Sequence, residues 1–91
     1  MRAADLLGEA ARLVLTDRAR QHGDALECHR MIARLWGAYL GRKLEALDVA
    51  RMMVLLKVAR SLSGELNTDD FRDMAGYAAL AGDFVERESA Q

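Results

Sequence analysis

Residues 46–64 read Ala46-Leu47-Asp48-Val49-Ala50-Arg51-Met52-Met53-Val54-Leu55-Leu56-Lys57-Val58-Ala59-Arg60-Ser61-Leu62-Ser63-Gly64. Val49 to Ala59 is the most apolar part of the chain, and the stretch ends on a glycine, which readily takes the left-handed conformation that closes a helix. The pattern predicts a helix from about Ala46 to Ser63. Its apolar run falls well short of the roughly 18–20 residues that cross a bilayer.

Moving outward, Arg42 to Glu45 form a turn, and a second helix precedes it. Asp24 is placed to cap that helix, with Glu27 three residues on as its capping-box partner, and Gly41 to end it. The wheel of this helix turns Cys28, Ile32, Leu35, Trp36 and Tyr39 inward. A first helix is expected from about Ala3 to Gln21, with Leu6, Ala10, Leu13, Val14 and Asp17 on one face, stopping near His22-Gly23. On the other side Asn67 or Thr68 caps a fourth helix, which directs Phe71, Met74, Tyr77, Ala81, Phe84 and Val85 inward. Met31, Met52, Met53 and Met74 read as gap-filling core. Connections this short make sequential helices run antiparallel. The expected fold is all-α, an up-down antiparallel four-helix bundle with short joints, forming a single helical domain over residues 1–91. A three-helix variant that uses the first helix for pairing between chains is the alternative.

Composition agrees. The 91 residues include no proline and seven glycines, with only 5% aromatics, which argues against a turn-rich sandwich. A chain that is 52% hydrophobic with a formal charge of −1 is not disordered. Thirteen basic against fourteen acidic residues leave no clear nucleic-acid footprint. Cys28, the one cysteine, makes no internal disulfide. Met1-Arg2-Ala3-Ala4-Asp5 lacks a signal-peptide apolar region. A cytoplasmic location without membrane association is expected.

Several ionisable residues violate the apolar stripes. Asp17 falls beside Ala10 and Leu13, and His29 beside Ile32 and Trp36. Lys57 lies on the edge of the Val49/Met53/Leu56 stripe and Arg60 within it. Asp70, Asp73 and Tyr77 share the stripe of Met74, Leu80 and Phe84. Arg12, Arg30, Arg34, Arg51, Arg72, Asp83 and Glu86 point outward as ordinary surface. Folding the helices about their joints sets Asp17 level with His29, His29 with Lys57, Lys57 with Asp73, and Arg60 with Asp70. The misfit residues therefore share one layer at one end of the bundle.

That layer has two readings. Lys57 and Arg60 meeting Asp70 and Asp73 form a structural ion-pair network, since buried charges persist when paired. Alternatively the layer is a site for a small anionic ligand. Glu27, Asp48 and Asp70 also fit helix N-terminal capping or dipole roles. His29 fits a core histidine, and Tyr77 a core aromatic whose hydroxyl reaches the layer. Cys28 and His29 lack further ligands for a metal site. No P-loop, dinucleotide fingerprint, G-x-S-x-G or H-E-x-x-H motif occurs.

The same residues carry a resemblance. Asp17-Arg18…His22-Gly23-Asp24, Ile32-Ala33-x-Leu35-Trp36-x-x-Tyr39-Leu40, Asp48-Val49-Ala50-x-Met52-Met53-x-Leu55-Leu56-Lys57-x-x-Arg60 and Asp73-x-x-Gly76-Tyr77-Ala78-x-Leu80 resemble a family of small, functionally uncharacterised proteins common in phages and prophages. More distantly the chain looks like the phage nucleotide-modification-associated domain. It departs from the pattern at His22, where tyrosine is usual, and at Cys28, where asparagine is frequent. Asp70-x-x-Asp73 also echoes the metal motif of MazG-like all-α nucleoside triphosphate pyrophosphohydrolases, although their E-x-x-E has no counterpart.

The resemblance implies a phage-type accessory protein that is not demonstrably an enzyme, and the polar layer points to binding of a nucleotide or other small anion without a cofactor. Its ligand-binding set comprises Asp17, Arg18, His29, Lys57, Arg60, Asp70, Asp73 and Tyr77. Lys57, Arg60 and Arg18 contact phosphate in this reading, Asp73 orients the cations, and Tyr77 or Trp36 offers an aromatic surface. The alternatives are a diverged Mg²⁺-dependent pyrophosphohydrolase using Asp17, Asp70 and Asp73, and a structural module that forms a homodimer.

Overall fold

A computed structural model of the protein describes residues 1–17 and 24–89, without the side chains of 16, 17 and 89. Among the described residues there are four α-helices: α1 (Ala3–Arg12), α2 (Ala25–Leu40), α3 (Ala46–Ser61) and α4 (Thr68–Ser89). The chain leaves α1 through a π-helical turn, Leu13–Asp17. No strand occurs among the described residues. The helices pack as a four-helix bundle: α3 and α4 form the most extensive contact, α2 packs on α3, and α1 packs on α4. None of these helices is long and apolar enough to cross a membrane.

Local chemistry sets the helix ends much as the sequence predicts. The Asp24 carboxylate accepts from the Glu27 backbone N–H at 3.4 Å. Gly41 stands at φ +73° and donates to the Gly37 carbonyl at 2.8 Å, closing α2. The Glu45 N–H donates to the Asp48 carboxylate at 2.8 Å, so Asp48 serves the start of α3. The Asn67 side chain accepts from the Asp69 N–H at 2.9 Å ahead of α4. Glu27 does not complete a capping box. Its carboxylate turns to Arg30 at 2.6 Å, a charge-assisted bond on the helix surface.

The central cluster is Leu26, Ala46, Ala50 and Phe84, with Ala25, Leu80 and Ala81 packed around it. Ala46 and Ala50 present little bulk, so the aromatic ring of Phe84 is fully buried where α4 meets the start of α3. Val49 is buried without residual exposure.

The face of α2 differs from the expectation. Its buried residues are Leu26, His29, Ala33 and Gly37, whereas Leu35 and Tyr39 stand in solvent. The reason is close approach. A Cβ on Gly37 would lie 2.7 Å from the Arg42 carbonyl oxygen, so the α2–α3 joint folds directly over the small-residue side of the helix. The bulkier side has no room there. Phe71, Val85 and Met31, expected in the core, are likewise exposed. The first helix keeps α-helical form only to Arg12 rather than to about Gln21, and residues 18–23 lie outside the described residues.

Two glycines test this packing in opposite directions. Gly37→Ala meets backbone and is expected to destabilise the fold by about 1–3 kcal/mol, as overpacking does. Gly82→Ala meets nothing within 4 Å in the interior of α4, and should stabilise by about 0.5–1 kcal/mol. Urea denaturation of the two variants measures both signs.

Candidate functional site

Helix α4 organises the charged residues. Asp69 and Asp70 occupy its first turn, where the helix dipole favours carboxylates. One turn further on, Asp73 faces α3 and meets Lys57, with Nζ to Oδ2 at 3.0 Å. Only 17% of the Lys57 side chain and 11% of the Asp73 side chain remain exposed. The other carboxylate oxygen of Asp73 accepts from Nε of Arg72 at 3.2 Å, with Nη2 in ion-pair contact at the same distance. Arg72 also reaches Asp69 through Nη1 at 3.4 Å. Burial acts to raise the Asp73 pKa, but the hydrogen bonds and charges of Lys57 and Arg72 outweigh it and hold the carboxyl below its ordinary value.

A second charged group lies further along α4. Arg87 spans Asp24, at 3.3 and 3.5 Å, and Asp83, at 3.8 Å. The Arg87 hydrogen bond lowers the Asp24 pKa, and the same bond raises that of Arg87. Arg30 joins α2 to α4 through Glu88 at 3.3 Å.

Between these groups opens a cleft of about 450 Å³. Leu13 and Val14 of the π turn, Ile32 of α2, Met53 of α3 and Tyr77 and Leu80 of α4 form its apolar walls. Arg72 and Asp73 border it at one end, and Asp24, Asp83 and Arg87 border it at the other. His29 also lines it, and is buried edge-on to Phe84 with ring centroids 4.9 Å apart. The Tyr77 ring centroid is 6.2 Å from that of His29. Nδ1 of His29 lies 2.8 Å from the Ala25 carbonyl oxygen, which only accepts, so Nδ1 carries a proton.

The residues singled out from sequence fall into three groups. Lys57, Asp73, His29 and Tyr77 gather at or immediately behind the cleft. Arg60 and Asp70 form a looser pair at 3.9 Å, with 67% of the Arg60 side chain in water. The Asp17 side chain and the whole of Arg18 lie outside the described residues. Arg72, read as outward surface, is instead a fork between two aspartates on the cleft margin. Arg30, also read as outward, bridges two helices. Asp24 showed only its capping role in the sequence, Asp83, read as outward surface, instead borders the cleft and pairs with Arg87, and Arg87 was not singled out. Among the described residues, no three His, Cys, Asp or Glu side chains come together to hold a metal.

The family described as "Domain of unknown function (DUF6378)" matches residues 5–85. The chain belongs to this family. This DUF6378 chain is 43% identical over 76 residues to the Gene 55 protein of Mycobacterium phage L5, a match covering 82% of the chain and 49% of that protein. It is 40% identical over 73 residues to the Gene 55 protein of Mycobacterium phage D29, covering 80% of the chain and 48% of that protein. The chain thus spans about half the length of these curated relatives. No solved structure matches it. The resemblance to a small phage-associated family of unknown function holds, and the residues of the expected polar layer, Asp17 through Tyr77, lie within the matched residues.

The shared carboxylate makes two substitutions unequal. Lys57→Ala leaves Asp73 held by Arg72 and is expected to cost about 1–3 kcal/mol. Asp73→Ala strips a partner from two cations and is expected to cost about 3–5 kcal/mol. Acid adds a second signature. Because the folded-state pKa of Asp73 is lowered, its contribution is full above the unfolded value near about 3.9 and is lost as pH falls through the folded value. The stability gap between wild type and Asp73→Asn should be constant above about pH 5 and narrow below about pH 4 in denaturation titrations.

Proposed function

We propose that this DUF6378 protein is an accessory ligand-binding protein of phage type that acts in the cytoplasm. It binds a small molecule with a planar or apolar body and an anionic group, of which nucleotides are the class to test first. The half-open cleft carries this reading. Its volume falls within the roughly 300–1,000 Å³ of small-molecule sites, and its apolar walls converge on a few charged groups at the margins. Tyr77 and His29, both largely buried, form part of the wall against which a planar body would lie.

Arg72 is the principal anion contact. Asp73 fixes the guanidinium through Nε and Nη2, and Nη1 rests on the more exposed Asp69. A phosphate oxygen replaces Asp69 at Nη1 while the Asp73 contacts persist, which pre-orients the fork. Lys57 positions Asp73 from behind and does not touch the ligand. Arg87 provides a second cation at the far margin, about 20 Å along α4 by helical rise. Binding in this reading requires no metal.

Thermal unfolding in the presence of nucleoside mono-, di- and triphosphates, in EDTA and in Mg²⁺, tests the proposal. The expected result is stabilisation in EDTA that saturates with concentration, amounting to about 2.7 kcal/mol at a hundred times Kd. Arg72→Ala should abolish the shift and Arg60→Ala should retain it. No response to any nucleotide in either medium overturns the nucleotide reading. Pyrophosphate release that requires Mg²⁺ replaces it with the pyrophosphohydrolase.

A further inference from the structure

Along α4 the cleft is lined by Asp73, Gly76, Leu80, Asp83 and Arg87, at the alternating three- and four-residue spacing of one helix stripe. Gly76 leaves a gap in that stripe. It stands in the helix interior, where glycine is less favourable than alanine. Packing does not require it. Among the described residues, a Cβ on Gly76 would meet Cγ2 of Val14 alone, at 3.6 Å, an ordinary van der Waals contact. Gly82, equally uncrowded in the same helix, lies away from the cleft.

The missing side chain leaves a notch in the cleft floor. Arg72 stands one turn before it, Leu80 one turn after, and Val14 of the π turn beside it. Gly76 is half-buried, so the notch is open to the cleft. Glycine in such a place lets a ligand lie directly on the helix backbone. We propose, on the premise that the cleft is a ligand site, that Gly76 is the floor for the planar body and that the ligand is a nucleoside monophosphate.

Spacing and charge select the monophosphate. Arg72 and Gly76 are four residues apart, about 6 Å by helical rise, which is the reach of one pentose between a base and its 5′-phosphate. A base seated on Gly76 therefore sets that phosphate at Nη1 of Arg72, where Asp69 rests in the free protein. Further phosphates would run on into the first turn of α4, which carries Asp69 and Asp70. Arg60 answers one of these carboxylates, Asp70, at 3.9 Å. A full negative charge is left there, more than the roughly half charge of the helix dipole offsets. Arg87 lies about 16 Å beyond Gly76 in the other direction and does not reach these phosphates.

Calorimetric titration in EDTA, with ribo- and deoxyribonucleoside 5′-monophosphates and the matching triphosphates, reads the preference. Wild type should bind a monophosphate several-fold more tightly than its triphosphate, and Asp69→Asn should narrow that gap. Gly76→Ala should raise the thermal midpoint of the free protein by about 2–8 °C. The same variant should weaken monophosphate binding by about tenfold or more, and Gly76→Leu should abolish it. Gly82→Ala should bring a similar thermal gain and leave binding unchanged. If wild type binds a nucleotide and Gly76→Ala keeps that affinity, the floor is overturned and the cleft reading stands. A Gly76→Ala variant that is destabilised overturns it too, since the glycine then serves packing. So does a Gly82→Ala variant that loses binding equally. Tighter binding of the triphosphate overturns the monophosphate assignment. A wild type that binds no nucleotide overturns the cleft reading and this inference with it.

Discussion

Phe84 lies buried over Ala46 and Ala50 at the start of α3, and further along the same hairpin Lys57 meets Asp73 across the gap. These two contacts hold α3 and α4 at a fixed separation, one by apolar burial and the other by charge. Burying an aromatic side chain against small residues contributes about 2–3 kcal/mol. The ion pair adds specificity more than stability, because desolvation of Lys57 and Asp73 opposes their attraction. Once the hairpin is set, α4 supplies the floor on which α1 and the π turn rest. Arg72, Asp73, Tyr77 and Leu80 line the cleft because successive turns of that one helix present them together.

The fold was legible where local chemistry decided it. Asp24, Gly41, Asp48, Gly64 and Asn67 mark helix ends in the sequence and do so in the structure, because a cap depends on residues within one turn. The pairing of Lys57 with Asp73 and Arg60 with Asp70 also followed from counting residues back from a short joint. A six-residue connection, Leu62–Asn67, leaves two antiparallel helices little freedom of register.

The rest was not legible, because it depends on bulk and not on polarity. The apolar side of α2, with Leu35 and Tyr39, is the natural inward face on a hydropathy wheel. Gly37 reverses that preference, since it alone lets the Arg42 carbonyl approach the helix to a distance that any side chain would block. A one-residue difference in helix phase amounts to about 100° and moves a whole stripe from core to surface. Arg72 was missed for a related reason. A residue adjacent to Asp73 lies about 100° away on the wheel, yet a guanidinium on a long stem folds back to its neighbour's carboxylate. Wheel positions assign backbone directions, and long cationic side chains depart from them.

The balance of charge at the cleft has a chemical consequence. Among the described residues, every cation at its margins already rests on a carboxylate: Arg72 on Asp69 and Asp73, and Arg87 on Asp24 and Asp83. An incoming anion must therefore exchange one ion pair for another, and the net electrostatic gain of such an exchange is small. A bare phosphate offers nothing further and should bind poorly. A ligand that also buries a planar body against Tyr77, Ile32 and Leu80 adds apolar contact area at about 25 cal/mol per Å². The near-neutral charge of the chain thus has a local counterpart. A site built from paired charges and apolar walls selects ligands by shape and burial first, and uses its guanidinium groups to orient what the walls already hold.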